Sequence, residues 1–111
     1  MSSAPAKVIW MRDHGRHVRA GTRAREVRDQ ITEALKDSGR VCLDFADVES
    51  VGATFLDSTL GILVARDGAD VLRSIVFVHC STRVEASILN AFSQVPRLRE
   101  CLDFAERPEV S

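Results

Sequence analysis

The chain has 111 residues, of which 45% are apolar and 28% are charged, and this is the composition of one globular domain. Its 15 basic and 16 acidic residues give a net charge of −1, so no overall positive field draws it to nucleic acid or to an anionic membrane. Three cysteines (Cys42, Cys80 and Cys101) without metal-ligand spacing, no signal-peptide pattern and no apolar stretch of membrane length predict a cytosolic protein.

The first elements predicted are a tail and a hairpin. Residues 1–6 are small, contain proline and are expected to be a disordered tail. Lys7 to Met11 has the pattern of a strand. Asp13-His14-Gly15 is a turn signal of the hairpin kind, so we predict that Arg16 to Val18 returns as a short second strand.

A helix and a strand are predicted next. We expect Thr22 to be the N-cap of the helix and Gly39 to be its C-cap. The strand Val41–Phe45 follows, because apolar residues alternate along it. The helix is indicated by apolar residues that recur every three or four positions: Ala24, Val27, Ile31, Ala34 and Leu35.

The strand leads through a loop, residues 46–51, into a second predicted helix from Thr54 to Arg66. Thr54 and Asp57 have the spacing of a capping box, in which the hydroxyl accepts from free N–H groups at the start of the helix. We therefore predict that Thr54 is the N-cap. We also predict that the function of the protein lies at this strand-to-helix junction.

The last third of the chain predicts a strand, a helix and an edge strand. Leu72 to His79 contains a continuous apolar run, which is typical of a strand covered on both faces. Ser81-Thr82 is expected to cap the next helix, with Thr82 and Glu85 at the spacing of a capping box, and Pro96 to end it. The segment Arg99–Phe104 is predicted to add an edge strand.

This order of elements predicts a single α/β domain over residues 7–104, with a C-terminal tail at 105–111. Connections of helix length require parallel pairing, so we expect a small mixed, mainly parallel β-sheet with helices packed on it. The apolar faces predict one contiguous core: Leu43, Phe45, Phe55, Leu60, Leu63, Val76, Val78, Ile88 and Phe92.

The junction resembles the STAS domains, which have the anti-sigma-factor-antagonist fold, and is most similar to the STAS-like family of unknown function. The resemblance rests on a strand ending in Leu43-Asp44-Phe45, a loop containing valine, and a Thr54-Phe55 pair that opens a helix. It implies the STAS-like α/β fold for residues 7–104, although the specific motif spans only residues 41–64.

In antagonist STAS proteins, this loop reads Asp-Ser-Ser/Thr-Gly-Leu, and a kinase-like ATPase partner phosphorylates the second hydroxyl residue. Thr54 is similar in position to that residue. Gly52, Ala53 and Phe55 replace the aspartate, the first serine and the glycine of the motif. The resemblance therefore implies a switch-like binding module more than it implies regulated phosphorylation.

Two interpretations of Thr54 stay open at this point. It caps a helix and has no other role, or it is a phosphorylation switch, with Asp57 one turn away repelling a phosphate. Our main hypothesis is a non-enzymatic module that binds a protein partner, by resemblance a kinase-like ATPase regulator or a sensor. The predicted partner-binding junction consists of Gly52, Ala53, Thr54, Phe55, Asp57 and Ser58.

A second hypothesis is a small-ligand or nucleotide-binding domain that uses an acidic rim formed by Asp44, Asp47 and Glu49. Acidic residues at the carboxyl ends of parallel strands lie where open α/β sheets bind ligands, and three carboxylates can hold a divalent ion. The competing interpretation is a solvated acidic rim in which Asp44 accepts hydrogen bonds from loop amides.

Enzymatic chemistry finds no support in the sequence. Cys80 precedes a helix, as the nucleophile of a cysteine phosphatase does, but Ala86 stands where such an enzyme needs an arginine. No Ser-His-Asp set or glycine-rich phosphate loop is present, so we expect no catalytic residue, cofactor or metal. The basic residues Arg16, Arg19, Arg23, Arg25 and Arg28 form a third, weaker candidate, a nucleic-acid contact, since few aromatic residues accompany them.

Overall fold

The structure is a computed structural model, and it describes residues 7–19 and 22–104, apart from the side chains of residues 22 and 99. The predicted tails at 1–6 and 105–111 and the capping role of Thr22 therefore lie outside what is described. None of the helices within the described ranges combines the length and the apolar character needed to cross a lipid bilayer.

Six strands and several helical segments alternate along the described chain. The strands are β1 (Lys7–Trp10), β2 (His17–Val18), β3 (Val41–Asp44), β4 (Ser50–Val51), β5 (Ile75–Val78) and β6 (Asp103–Phe104). The α-helices are α1 (Thr22–Ser38), α2 (Ala53–Leu56), α3 (Ile62–Asp67), α4 (Thr82–Ala91) and α5 (Leu98–Cys101). A π-helical turn, Asp57–Gly61, joins α2 to α3, and we call this continuous helix at residues 53–67 the junction helix. Short 3-10 helices occupy Met11–His14 and Ala69–Ser74.

The main sheet has the strand order β1-β3-β5-β6, and each of its ladders is parallel. Parallel pairing follows from the connections, because α1 carries the chain from the first strands to β3 and the junction helix carries it on towards β5. Gly39 ends α1 with a φ of 76° and an N–H bond to the carbonyl of Leu35, as predicted for a C-cap. The predicted α/β fold with a mainly parallel sheet is confirmed.

The predicted hairpin between the first two strands is wrong. Gly15 has the positive φ expected of the turn, 108°, but the 3-10 helix before it buries Met11 and directs the chain away from β1. As a result, β2 pairs in parallel with β4, a two-residue strand inside the segment that was predicted as loop. This second small sheet lies immediately before the junction helix.

Some predicted boundaries also differ from the structure. The strand predicted at Leu72–His79 is shorter, because residues up to Ser74 form a 3-10 helix. The helix predicted to reach Pro96 ends at Ala91. The edge strand at the C-terminal end is present as β6, but only two residues pair with β5, and the short α5 precedes it.

The core lies between one face of the main sheet and the helices, and seven of the nine predicted core residues belong to it: Leu43, Phe45, Phe55, Leu60, Leu63, Ile88 and Phe92. Val76 and Val78 do not, because they are only half-buried. Their neighbours Ile75 and Phe77 face the core instead, in register with Val41 and Leu43 of β3. A continuous apolar run hides which alternate residues face inward, and this caused the error.

Candidate functional site

The start of the junction helix is held in place by the small β2–β4 sheet. Ser50 and Val51 pair with His17 and Val18, and the N–H of Gly52 donates to the carbonyl of Val18 at 2.8 Å. These bonds fix the chain in an extended conformation up to Gly52, whose φ is −80° and ψ is 149°. The helix can begin only after this point.

The residue that caps the junction helix is Gly52 and not Thr54, so the predicted N-cap is wrong. The helix begins at Ala53, and the carbonyl of Gly52 accepts from the N–H of Leu56 at 3.1 Å. No side chain makes a capping hydrogen bond, so the capping box predicted for Thr54 and Asp57 is not formed. Because the β2–β4 pairing ends at Val51, the cap lies two residues earlier than the sequence pattern indicated.

Thr54 therefore has an exposed side chain in the first turn of the helix. Its hydroxyl makes no hydrogen bond to any of the residues described, and Asp57 is exposed one turn further on. Ser58 is half-buried and Phe55 is only 2% exposed, so Phe55 belongs to the core and not to a contact surface. The hydroxyl of Thr54 therefore does not have the capping role that the sequence pattern predicted.

Two side chains donate hydrogen bonds to backbone carbonyls in and just before the π-helical turn. The hydroxyl of Thr59 donates to the carbonyl of Phe55 at 2.9 Å. From α1, the guanidinium of Arg28 donates to the carbonyl of Ser58 at 3.2 Å. Gly61 is the last residue of the turn, and a Cβ there would meet the carbonyl of Leu56 at 3.5 Å. Such π-turns are frequent at functional sites, and this one includes Asp57 and Ser58 of the predicted junction.

The outward face of the junction helix carries small and polar side chains and one large apolar one. Ile62 is 39% exposed and lies two turns beyond Thr54, on the same side of the helix as Ser58. Sequence reasoning missed Ile62 because an apolar residue in an apolar helix gives no signal of exposure. We use the name junction surface for this face, formed by Ala53, Thr54, Asp57, Ser58 and Ile62.

The three residues of the predicted acidic rim have separate partners. Oδ2 of Asp47 lies 3.3 Å from Nη1 of Arg12, and Glu49 forms an ion pair with Arg16. Asp44 is buried, at 4% exposure, and one of its oxygens accepts from the N–H of Ala46 at 2.9 Å. This is a bond to a loop amide, of the kind that the competing interpretation expected. Within the described ranges, no three side chains of metal-binding type come together. Ligand binding by this rim stays a prediction.

His79 is a residue near this rim that sequence reasoning did not associate with it. Its Nδ1 lies 3.0 Å from Oδ1 of Asp44, and since a carboxylate only accepts hydrogen bonds, Nδ1 is the donor. The backbone of His79 has a φ of 58°, a conformation that residues other than glycine rarely adopt. Strand register could have found the pair, because Asp44 is opposite Val78 and His79 follows directly.

Cys80 lies beside this pair and is a protonated thiol at neutral pH. Burial, helped by the nearby charges of Glu85 and Asp44, raises the pKa of Cys80 from its usual value of 9.0 to about 12. The helix after it is capped by Ser81, which accepts from the N–H of Val84 at 3.1 Å, so the capping box predicted for Thr82 and Glu85 is not formed. A thiol with a raised pKa is a poor nucleophile. The absence of a phosphatase role for Cys80 stays a prediction.

The arginines of the predicted nucleic-acid patch are dispersed among different partners. Arg16 pairs with Glu49, Arg23 lies 3.9 Å from Glu26, and Arg28 binds the π-turn of the junction helix. Arg19 and Arg25 are exposed. Two of the five are thus in ion pairs, with Glu49 and Glu26, and nucleic-acid binding stays a prediction.

The fold and the site together define a class of protein: an α/β domain with a parallel sheet, whose exposed helix start follows a central strand. The family model described as STAS-like domain of unknown function (DUF4325) matches residues 23–85, from α1 to the first turn of α4. The match includes the whole junction. The chain belongs to this STAS-like family. No curated protein and no solved structure matches the chain.

Proposed function

We propose that the chain is a cytoplasmic regulatory module without enzymatic activity, which binds a protein partner through the junction surface. The observation that supports this most is the exposed hydroxyl of Thr54, which neither caps the helix nor bonds to any described residue. A threonine with a structural role in a helix start would have its hydroxyl engaged. The hydroxyl of Thr54 is therefore accessible to a protein partner.

The junction surface has the chemistry of a protein contact. Ile62 supplies an exposed apolar group, and the small side chains of Ala53 and Ser58 let a partner approach the helix closely. Phe55 and Leu56 fix the opposite side of the same helix in the core, so the surface is rigid and loses little entropy on binding.

By resemblance to antagonist STAS proteins, the partner is a kinase-like ATPase regulator or a sensor of the same pathway, and Thr54 is the residue that switches binding. A phosphate on Thr54 would lie at the positive end of the helix dipole but beside the carboxylate of Asp57. The added charge would be costly to desolvate under a bound partner. Phosphorylation would therefore release the partner with little effect on folding.

The experiment is a quantitative pull-down from native lysate with four forms of the chain: wild type, Thr54→Ser, Thr54→Glu and the control Thr82→Glu. Thr82 is also exposed and is the first residue of α4, so the control places the same charge at the start of another helix. We expect Thr54→Ser and Thr82→Glu to keep the partners of the wild type and Thr54→Glu to lose the partner bound at the junction surface, with all four melting within a few degrees of each other. The proposal fails if Thr54→Glu retains every partner.

A further inference from the structure

A groove of about 620 Å³ runs along the outer edge of β1 and is walled on one side by α1. This groove is separate from the junction surface, and the family match at residues 23–85 does not include β1. Among the described residues, β1 pairs only with β3, so its second edge carries no strand. We call this feature the β1 groove.

The open edge of β1 presents main-chain groups that can bind another strand. In a parallel ladder, alternate residues direct their N–H and C=O towards one neighbour, so half of those in β1 point into the groove. Val8 and Trp10 are each 43% exposed beside this edge, and no proline or bulge interrupts the strand. Edges without such protection are the usual sites at which an extended peptide adds to a sheet.

The helical wall of the β1 groove is acidic. Glu26, Asp29 and Glu33 line the groove from α1, and Asp13 adds a carboxylate from the 3-10 helix that follows β1. Two basic residues also line the groove, and each has an acidic neighbour: Arg23 lies 3.9 Å from Glu26, and Lys7 lies 3.8 Å from Asp37. Asp13, Asp29 and Glu33 have no ion pair with any of the residues described. The groove therefore offers three uncompensated carboxylates to whatever binds there.

The dimensions of the two walls agree. From Arg23 to Glu33, α1 rises about 15 Å, and the four residues of β1 span about 13 Å. A segment of four or five residues in extended conformation would pair with β1 along its whole length. Every second side chain of that segment would then point towards the acidic face of α1.

We propose that the β1 groove binds an extended, basic segment of a partner protein, which adds as a strand to the edge of β1. The main chain of the segment pairs with β1, and its Lys or Arg side chains meet Asp13, Asp29 and Glu33. This site is independent of the junction surface, so a module of this kind can hold one partner while it exchanges another.

Trp10 gives a direct test, because it is the only Trp in a chain that has no Tyr, and it lines the β1 groove. Its fluorescence is titrated with a synthetic hexapeptide of alternating Arg and Thr. Two control peptides replace either Arg by Glu, which reverses the charge, or Thr by Pro, which removes the N–H groups needed for strand pairing. We expect a saturable change with the first peptide alone, and weaker binding at higher salt.

A variant with Asp29→Lys and Glu33→Lys reverses the charge of the helical wall at two exposed positions. We expect it to raise the Kd of the basic peptide by about tenfold or more, because two attractions become repulsions. The matched control, Asp70→Lys with Glu100→Lys, alters two exposed acids outside the groove and should leave Kd unchanged.

Three results would overturn the proposal. The first is an absence of saturable binding by the basic peptide, and the second is equal binding by the proline peptide. The third is a dimer of the free protein, seen by sedimentation, that Asp29→Lys with Glu33→Lys abolishes, because a second copy would then be the natural occupant of the groove. A Thr54→Glu variant that retains every partner would bear only on the junction surface, so the two proposals fail separately.

Discussion

The position of the helix cap can be tested with Thr54→Ala, because the sequence pattern and the structure predict different results. If Thr54 were the N-cap, its removal would cost about 1 kcal/mol of unfolding free energy. In the structure, Thr54 is an exposed residue inside the first turn and has no bond to lose. Ala has a higher helix propensity than Thr, so we expect Thr54→Ala to be neutral or stabilising by up to about 0.5 kcal/mol.

The complementary change is Gly52→Asp, which gives the actual cap position a side-chain acceptor. The φ of Gly52, −80°, suits any residue, and a Cβ there would lie no closer than 3.7 Å to the carbonyl of Val18. The new carboxylate would accept from the N–H of Thr54 or Phe55 and interact with the helix dipole. From these two effects we expect a gain of about 0.5–1 kcal/mol.

Urea unfolding followed by circular dichroism measures both changes, with the wild type and Gly52→Ala as references. Gly52→Ala adds a Cβ without an acceptor, so it separates capping from any effect of backbone flexibility. A loss of 1 kcal/mol or more in Thr54→Ala would refute the cap assignment. So would a Gly52→Asp variant less stable than Gly52→Ala.

Two further predictions concern the core and the thiol. In the same urea experiment, Phe92→Ala should lower the unfolding free energy by about 3–5 kcal/mol. Val78 is half-buried, so Val78→Ala should lower it by clearly less. Equal losses would contradict the assignment of Val78 to the outer face of the sheet. Because its pKa is raised to about 12, Cys80 should react with iodoacetamide at pH 8 much more slowly in the folded chain than in urea, as peptide mass spectrometry would measure. Hydrolysis of an aryl phosphate should be absent. Equally fast alkylation in both states, or turnover that Cys80→Ser removes, would contradict these expectations.

Local signals predicted the elements of this chain better than their pairing. The helical stripe before Gly39 and the alternation in Val41–Phe45 were enough to place α1 and β3 within one or two residues. The short β4 was missed because two residues, Ser50 and Val51, carry no periodicity. Its pairing with β2 depends on residues more than thirty positions away, and no local pattern contains that information.

The candidate site shows the same division at the level of single residues. The sequence by itself determined that the strand-to-helix junction follows a central parallel strand, because apolar periodicity and connection length depend only on neighbouring residues. Only the tertiary structure decided that Gly52 caps the helix, since the β2–β4 pairing sets where the extended chain ends. The same holds for the contact between Asp44 and His79 and for the open edge of β1: both follow from strand order and register, which the whole fold determines.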